Sequence, residues 1–331
     1  MSLFKNIAVI GGGSWATAIV KMLSENQESV SWWMRNEDNI THIKRYGNNP
    51  NYISATELLP NKLNIGSDIN AIVDAADCIV LAVPSAFLAS TLESLSVSIK
   101  DKFVVSAIKG IVPENNTIIG DYLHENYCIP YENIGVITGP CHAEEVALER
   151  LSYLTVACED IRKAEWFAEQ ITCRYIKTNI SEDIYGTEIA AVLKNVIAIA
   201  SGVCHSIGYG DNFQAVLASN AIREIKRFVD TVRPIKRDIK ESAYLGDLLV
   251  TVYSQFSRNR TFGNMIGKGY SVKSAQLEMN MVAEGYYAVK CIKEINEQYN
   301  IDMPITKAVY NILYEKISPV IEMRLLSDNL N

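Results

Sequence analysis

Ile7-Ala8-Val9-Ile10 is an unbroken apolar run that ends on Gly11-Gly12-Gly13, the pattern of a strand buried on both faces. Directly behind it, residues 14–25 carry apolar side chains at 15, 18, 19, 22 and 23, which is helical spacing. The alternation continues. Residues 29–34, 78–83, 103–108, 134–138, 154–157 and 175–178 read as further short strands, with helical text after Pro84, near Asn116 and after Pro140. Strand and helix in turn predict an α/β fold with a doubly wound parallel sheet. Residues 36–66 break the rhythm: they are rich in Asn and hold Pro50 and Pro60. They read as a surface insertion, or a flap near a site.

Past residue 178 the strand signal stops. Residues 182–204, 213–229, 277–299 and 305–317 are long helical patterns. The change in texture predicts a first domain over 1–180 and an all-helical second domain over 181–331. A length of 331 residues agrees with two domains. No repeat period is visible, which excludes a solenoid.

Composition narrows the function. With 48% hydrophobic and 21% charged residues the chain is globular, and its net charge of −7 argues against a nucleic-acid partner. The basic stretch 223–240 lacks interleaved aromatics and reads as a solvated helix face. Seven cysteines are scattered with no C-x-x-C pair, so neither a metal site nor a redox pair is expected, and a reducing compartment is. Residues 1–6 carry no signal pattern. The apolar stretch 189–204 is broken by Lys194, Asn195 and Ser201 and falls short of the ~20 residues a span needs. A cytoplasmic protein without membrane insertion is the expectation.

Gly11-Gly12-Gly13-Ser14-Trp15-Ala16 fits G-x-G-x-x-A between a strand and a helix. Gly11 permits the tight turn, Gly13 lets backbone approach a pyrophosphate, and Ala16 lets helix and strand pack closely. The helix start then presents N–H groups to the anion. An ordinary glycine-rich βα turn is the alternative. At the end of the second strand stands Arg35, with Glu37 and Asp38 only later. An arginine there accommodates a 2′-phosphate, so NADP is favoured over NAD.

Four stretches carry a more specific likeness: Ile108-Lys109-Gly110, Thr138-Gly139-Pro140-Cys141-His142-Ala143-Glu144-Glu145, Leu193-Lys194-Asn195-Val196, and Leu245-Gly246-Asp247-Leu248. Ser257-Arg258-Asn259-Arg260-Thr261-Phe262-Gly263, Val282-Ala283-Glu284-Gly285 and Met303-Pro304-Ile305 extend it. With the glycine turn, the chain resembles the NAD(P)-dependent glycerol-3-phosphate dehydrogenases of bacterial type over nearly its whole length. The resemblance implies reversible reduction of dihydroxyacetone phosphate to sn-glycerol 3-phosphate, which feeds glycerophospholipid synthesis. It also implies an N-terminal Rossmann domain, a helical C-terminal domain like that of 6-phosphogluconate dehydrogenase, and a homodimer.

Ketone reduction puts negative charge on the carbonyl oxygen, so a proton donor or fixed cation lowers the barrier. Lys194 interrupts an apolar helix, where a charge is costly without a partner or a task. It is the leading catalytic candidate; a lysine snorkelling to water is the alternative. Lys109 follows an apolar strand and precedes a glycine, as a residue at the ligand-binding end of the sheet would. The resemblance has it touch substrate and nicotinamide. The resemblance also makes Asp247 a substrate-side carboxylate that holds Lys194 or a substrate hydroxyl, although a helix N-cap would look the same. Ser257-Arg258-Asn259 suits a phosphate, and Asn195 stands beside Lys194.

By resemblance, Gly139, Cys141 and Thr251 fall on the substrate side. Ser14, Trp15, Arg35, Ala143, Val282 and Glu284 fall on the cofactor side, and Arg258 lies between the two. Cys141-His142 departs from the usual Ser or Thr followed by Phe, and a thiol is the poorer donor. Asn220-Ala221 replaces a frequent Arg-Gly, so neither is taken as a site residue. The rival readings are a two-domain dehydrogenase for another hydroxy acid and a dinucleotide sensor without catalysis.

Overall fold

A computed structural model of the chain describes residues 3–279 and 282–331. It divides into two compact units, the chain through Ile108 with Ile119–Ile184, and Lys109–Ile118 with Tyr185–Asn331. A simple division at 180 leaves residues 109–118 with the first domain. The structure groups them with the second, because Ile111 and Ile118 are buried in the helical core.

The strands in chain order are β1 (Ile7–Ile10), β2 (Val30–Trp33), β3 (Leu63–Gly66), β4 (Cys78–Leu81), β5 (Phe103–Ser106), β6 (Ile111–Val112), β7 (Thr117–Ile118), β8 (Ile134–Thr138), β9 (Ser152–Cys158) and β10 (Ile176–Ser181). Among the described residues, eight of them form one sheet in the order β10-β9-β8-β5-β4-β1-β2-β3, and β6 and β7 pair as a hairpin in the second unit. Strands β1, β4, β5 and β8 are buried along their whole length, which is why they read as plain apolar runs. The helices of this unit are α1 (Ser14–Asn26), α2 (Glu37–Tyr46), α3 (Ile69–Asp74), α4 (Leu88–Glu93), α5 (Ile119–Tyr127), α6 (Ala143–Ala147) and α7 (Ile161–Ile171).

Two features depart from the expected pattern. The sheet is not wholly parallel: β9 runs antiparallel to β8, with Val136 opposite Ala157, and β10 then follows β9 in parallel. Their connection carries only the five-residue α6, enough for antiparallel neighbours, which need no full crossover. Residues 36–66 are likewise no irregular insertion. They form α2, capped by the Asn36 side chain accepting from the Asn39 N–H at 3.0 Å, then a loop, then β3 at the sheet edge. Only Ile65 of β3 is buried, so the edge strand leaves no apolar run to read.

The second unit is helical: α8 (Ile184–Ser206), α9 (Asp211–Val232), α10 (Asp247–Tyr253), α11 (Arg258–Gly267), α12 (Val272–Glu278), α13 (Glu284–Tyr299), α14 (Pro304–Leu313) and α15 (Pro319–Ser327). The helical pattern 277–299 starts in the last two residues of α12, which ends at Glu278; α13 begins at Glu284, and residues 280 and 281 lie outside the described set. Helix α8 has the length of the helical pattern read over 182–204, displaced by two residues. At 23 residues it could cross a membrane by length and composition, yet it is mostly buried inside the protein. A helix apolar on every side is accounted for by such a central position.

Helix α8 meets α11 backbone to backbone. A Cβ on Gly202 would collide with the Arg260 carbonyl, and one on Gly263 with the Ile199 carbonyl. The two glycines fix this crossing and hold the start of α11 beside the C-terminal third of α8.

Candidate active site

The glycine turn leaves β1 through Gly11, whose φ of +134° and contact with the Ala82 carbonyl admit no side chain. Its three successive carbonyls are each held by a donor. Gly11 O accepts from Trp32 Nε1 at 2.7 Å, and Gly12 O from Asn49 Nδ2 at 3.2 Å. Gly13 O accepts from the Thr17 N–H at 3.0 Å and the Thr17 hydroxyl at 2.9 Å. Because the peptide unit is planar and trans, each anchored carbonyl aims the following N–H the opposite way. Gly13 is the N-cap of α1 and supplies no side-chain cap, and the first turn holds no acidic residue. A Cβ at Gly13 would meet nothing within 4 Å. Oriented amides, the positive end of a 13-residue helix and open space fit a pyrophosphate.

Around the turn, Ser14 and Ala16 are buried and Trp15 is half-buried. Arg35 is exposed just beyond the carboxyl end of β2. Gly139 and Cys141 follow β8, both buried, and Ala143 opens α6. The anchoring of the turn by Trp32, Thr17 and Asn49 was not apparent from the sequence. Asn49 sits in the Asn-rich stretch, and its complete burial was the missing signal.

In the second unit the catalytic candidates converge. Lys194, on α8, is 5% exposed and donates to Asp247 Oδ1; Asp247 is 1% exposed. Lys109, between β5 and β6, pairs with Asp247 Oδ2 at 3.8 Å. One carboxylate thus serves two ammonium groups. Asn195, next on α8, donates from Nδ2 to the Lys109 carbonyl at 2.9 Å, so α8 holds both lysines. Burial is the main cause that draws the Lys194 pKa down, to about 7, and Lys109 adds to it while Asp247 opposes it.

Lys194 does not snorkel; it ends on a buried carboxylate. Asp247 is the first residue of α10 and follows a π-helical turn, Ser242–Gly246, and the N-cap position belongs to Gly246. Its carboxylate bridges Lys194 and Lys109.

The remaining candidates are arranged along α10, α11 and the start of α13. The Thr251 hydroxyl donates to the Asp247 carbonyl at 2.6 Å. Ser257 is buried and caps α11, accepting from the Arg260 N–H at 3.3 Å. Buried Asn259 accepts at Oδ1 from the Gly285 N–H at 2.9 Å, tying α11 to α13. Of the Ser257-Arg258-Asn259 group only Arg258 is exposed, its guanidinium 3.5 Å from the Val282 carbonyl. Val282 and Glu284 are half-buried, Glu284 opening α13. Asn220 lies apart on α9 and binds the Asn331 backbone at 2.8 Å. Among the described residues no group of three or more His, Cys, Asp or Glu gathers as a metal site.

Fold and site place the chain in the class of two-domain nicotinamide-dependent dehydrogenases. Residues 6–164 match the NAD-dependent glycerol-3-phosphate dehydrogenase N-terminus and residues 183–323 the C-terminus of the same family. The chain belongs to this family. It is 32% identical over 316 residues to the glycerol-3-phosphate dehydrogenase [NAD(P)+] of Oceanobacillus iheyensis, covering 95% of this chain and 91% of that one. Its fold matches the glycerol-3-phosphate dehydrogenase of Coxiella burnetii with a TM-score of 0.89 at 25% identity, covering 97% and 98% of the two chains. The corresponding enzyme of Saccharomyces cerevisiae aligns with a TM-score of 0.81 at 26% identity, covering 97% and 99%.

Proposed function

We propose that this chain catalyses the reversible NAD(P)H-dependent reduction of dihydroxyacetone phosphate to sn-glycerol 3-phosphate, supplying glycerophospholipid synthesis. The observation that carries this reading is the Lys194–Asp247–Lys109 cluster, with Lys194 and Asp247 buried, in a chain of this family. When bound, the reduced nicotinamide supplies the hydride that reaches the carbonyl carbon.

The residues of this chain do the rest. The amides of the Gly11–Gly13 turn hold the pyrophosphate, with Ser14, Trp15, Ala143, Val282 and Glu284 as further cofactor-side residues. Arg35 favours NADPH through its charge. Lys194, as the ammonium, donates a proton to the carbonyl oxygen as charge develops there, and accepts it back in the reverse direction. Asp247 positions Lys194 and Lys109, and Lys109 adds fixed positive charge beside the reacting oxygen. Arg258, at the start of α11, is the phosphate ligand, and Asn195, Thr251 and Asn259 complete the substrate side with Gly139 and Cys141. Ser257 contributes by capping α11 beneath Arg258. A homodimer in the cytoplasm is the expected setting.

The test is oxidation of NADPH and NADH by the purified protein with dihydroxyacetone phosphate. Turnover supports the reading, and no turnover with either cofactor overturns it. Lys194→Ala should abolish turnover and leave NADPH binding intact; a variant that keeps most of the activity refutes the role of Lys194.

A further inference from the structure

The loop between α2 and β3 carries one polar side chain, Asn49, into the back of the glycine turn. Asn49 is 0% exposed and all its hydrogen-bonding capacity but one lone pair is used. Nδ2 donates to Gly12 O at 3.2 Å and to Thr17 Oγ1 at 2.8 Å, and Oδ1 accepts from the Asn51 N–H at 3.1 Å. Thr17 in turn donates to Gly13 O at 2.9 Å. One amide therefore fixes two adjacent peptide units of the turn, Gly12 directly and Gly13 through the Thr17 hydroxyl. By peptide planarity these are the units whose N–H groups belong to Gly13 and Ser14.

The loop itself is built to hold this side chain. Leu58 N–H closes it on Gly47 O at 2.7 Å, and Asn51 Nδ2 reaches Asn39 Oδ1 at 2.9 Å. Ile53 sits at a φ of +43°, costly for a β-branched residue, and packs on the core of the first unit. Backbone strain of this kind persists only where the surroundings impose it.

We infer that Asn49 is a positioning residue for cofactor binding, acting through Thr17 and the turn carbonyls to aim the amides of Gly13 and Ser14 at the dinucleotide pyrophosphate. The inference rests on the dehydrogenase reading above. It assigns to the Asn-rich loop a task that neither the glycine motif nor the lysine cluster implies.

The experiment compares Asn49→Ala, Thr17→Val and the conservative Thr17→Ser in the full-length protein. NADPH affinity is measured by fluorescence titration and steady-state constants by NADPH oxidation. The first two variants should raise the Kd and KM for NADPH about tenfold, because each takes a side-chain donor away from one turn carbonyl. KM for dihydroxyacetone phosphate and kcat at saturating NADPH should stay within about twofold. Thr17→Ser keeps both bonds and should bind as the parent does. Should Asn49→Ala fail to fold, Thr17→Val, which keeps shape and volume, decides the matter. Unchanged NADPH affinity in folded variants, with only a lowered Tm, overturns the inference. A parent protein that binds neither NADPH nor NADH instead overturns the cofactor reading itself.

Discussion

Lys194 donates to the Asp247 carboxylate from the middle of α8, and the two side chains are 6% and 2% exposed. An ammonium buried this deeply is held charged mainly by that carboxylate, against desolvation and the nearby Lys109. Asp247→Asn keeps the shape and removes the opposing charge, so the Lys194 pKa should fall further. The acid limb for ketone reduction then moves to lower pH, and kcat/KM at neutral pH drops by about 10²-fold, within the usual range for a lost general acid. A pH profile of kcat/KM checks this; a variant whose profile overlays the parent's contradicts the assignment.

The pH dependence of the parent follows with opposite signs in the two directions. Reduction needs the ammonium, which predominates below a pKa of about 7, so its rate should fall as pH rises through that value. Oxidation of sn-glycerol 3-phosphate needs the neutral amine and should rise over the same range. Both limbs should report one group. Initial rates in each direction from pH 5.5 to 9, at saturating cofactor, measure them, and two limbs of the same sign exclude Lys194 as the shared acid and base.

The readable parts of this chain were those where burial is complete. Strands β1, β4, β5 and β8 are covered on both faces, so their residues form apolar runs that need no neighbours to interpret. Edge strand β3 buries Ile65 alone, so it leaves no apolar run and reads as part of a surface insertion. The reversal at β9 is set by pairing partners distant in sequence, which local periodicity does not encode. At the site, Lys194 stood out because a charge in an apolar helix demands a reason. Asp247 as its partner lies 53 residues away, and no spacing rule joins them. Ser257 reads as a phosphate donor, and its hydroxyl also caps α11, because a helix cap and an anion ligand call for the same group.

Glu224 gives a stability prediction independent of the chemistry. From α9 it accepts from the Ile305 N–H at 2.8 Å, the Thr306 N–H at 2.9 Å and the Thr306 hydroxyl at 2.6 Å. It therefore caps the start of α14 from a neighbouring helix. Glu224→Ala strands two buried amides and a hydroxyl, at a cost of about 2–4 kcal/mol. Urea unfolding monitored by far-ultraviolet circular dichroism, which reports the helices of the second unit, should show this loss, with the activity of the folded fraction unchanged. A loss below about 0.5 kcal/mol would mean that water replaces the carboxylate without penalty.

Arg35 offers the sharpest test of cofactor preference. It is exposed at the carboxyl end of β2, where the only difference it can sense is the 2′-phosphate of NADPH against the 2′-hydroxyl of NADH. A charge-assisted bond to that phosphate contributes about 1.5–3 kcal/mol. Arg35→Ser should therefore raise the KM for NADPH about 10- to 100-fold and leave the KM for NADH within about twofold. Arg35→Asp should go further: a carboxylate repels the 2′-phosphate and accepts from the 2′-hydroxyl, so preference should turn toward NADH. Steady-state kinetics with each cofactor at saturating dihydroxyacetone phosphate decide it. Parallel losses with both cofactors would assign Arg35 to the shared part of the dinucleotide and remove the basis for a preference for NADPH.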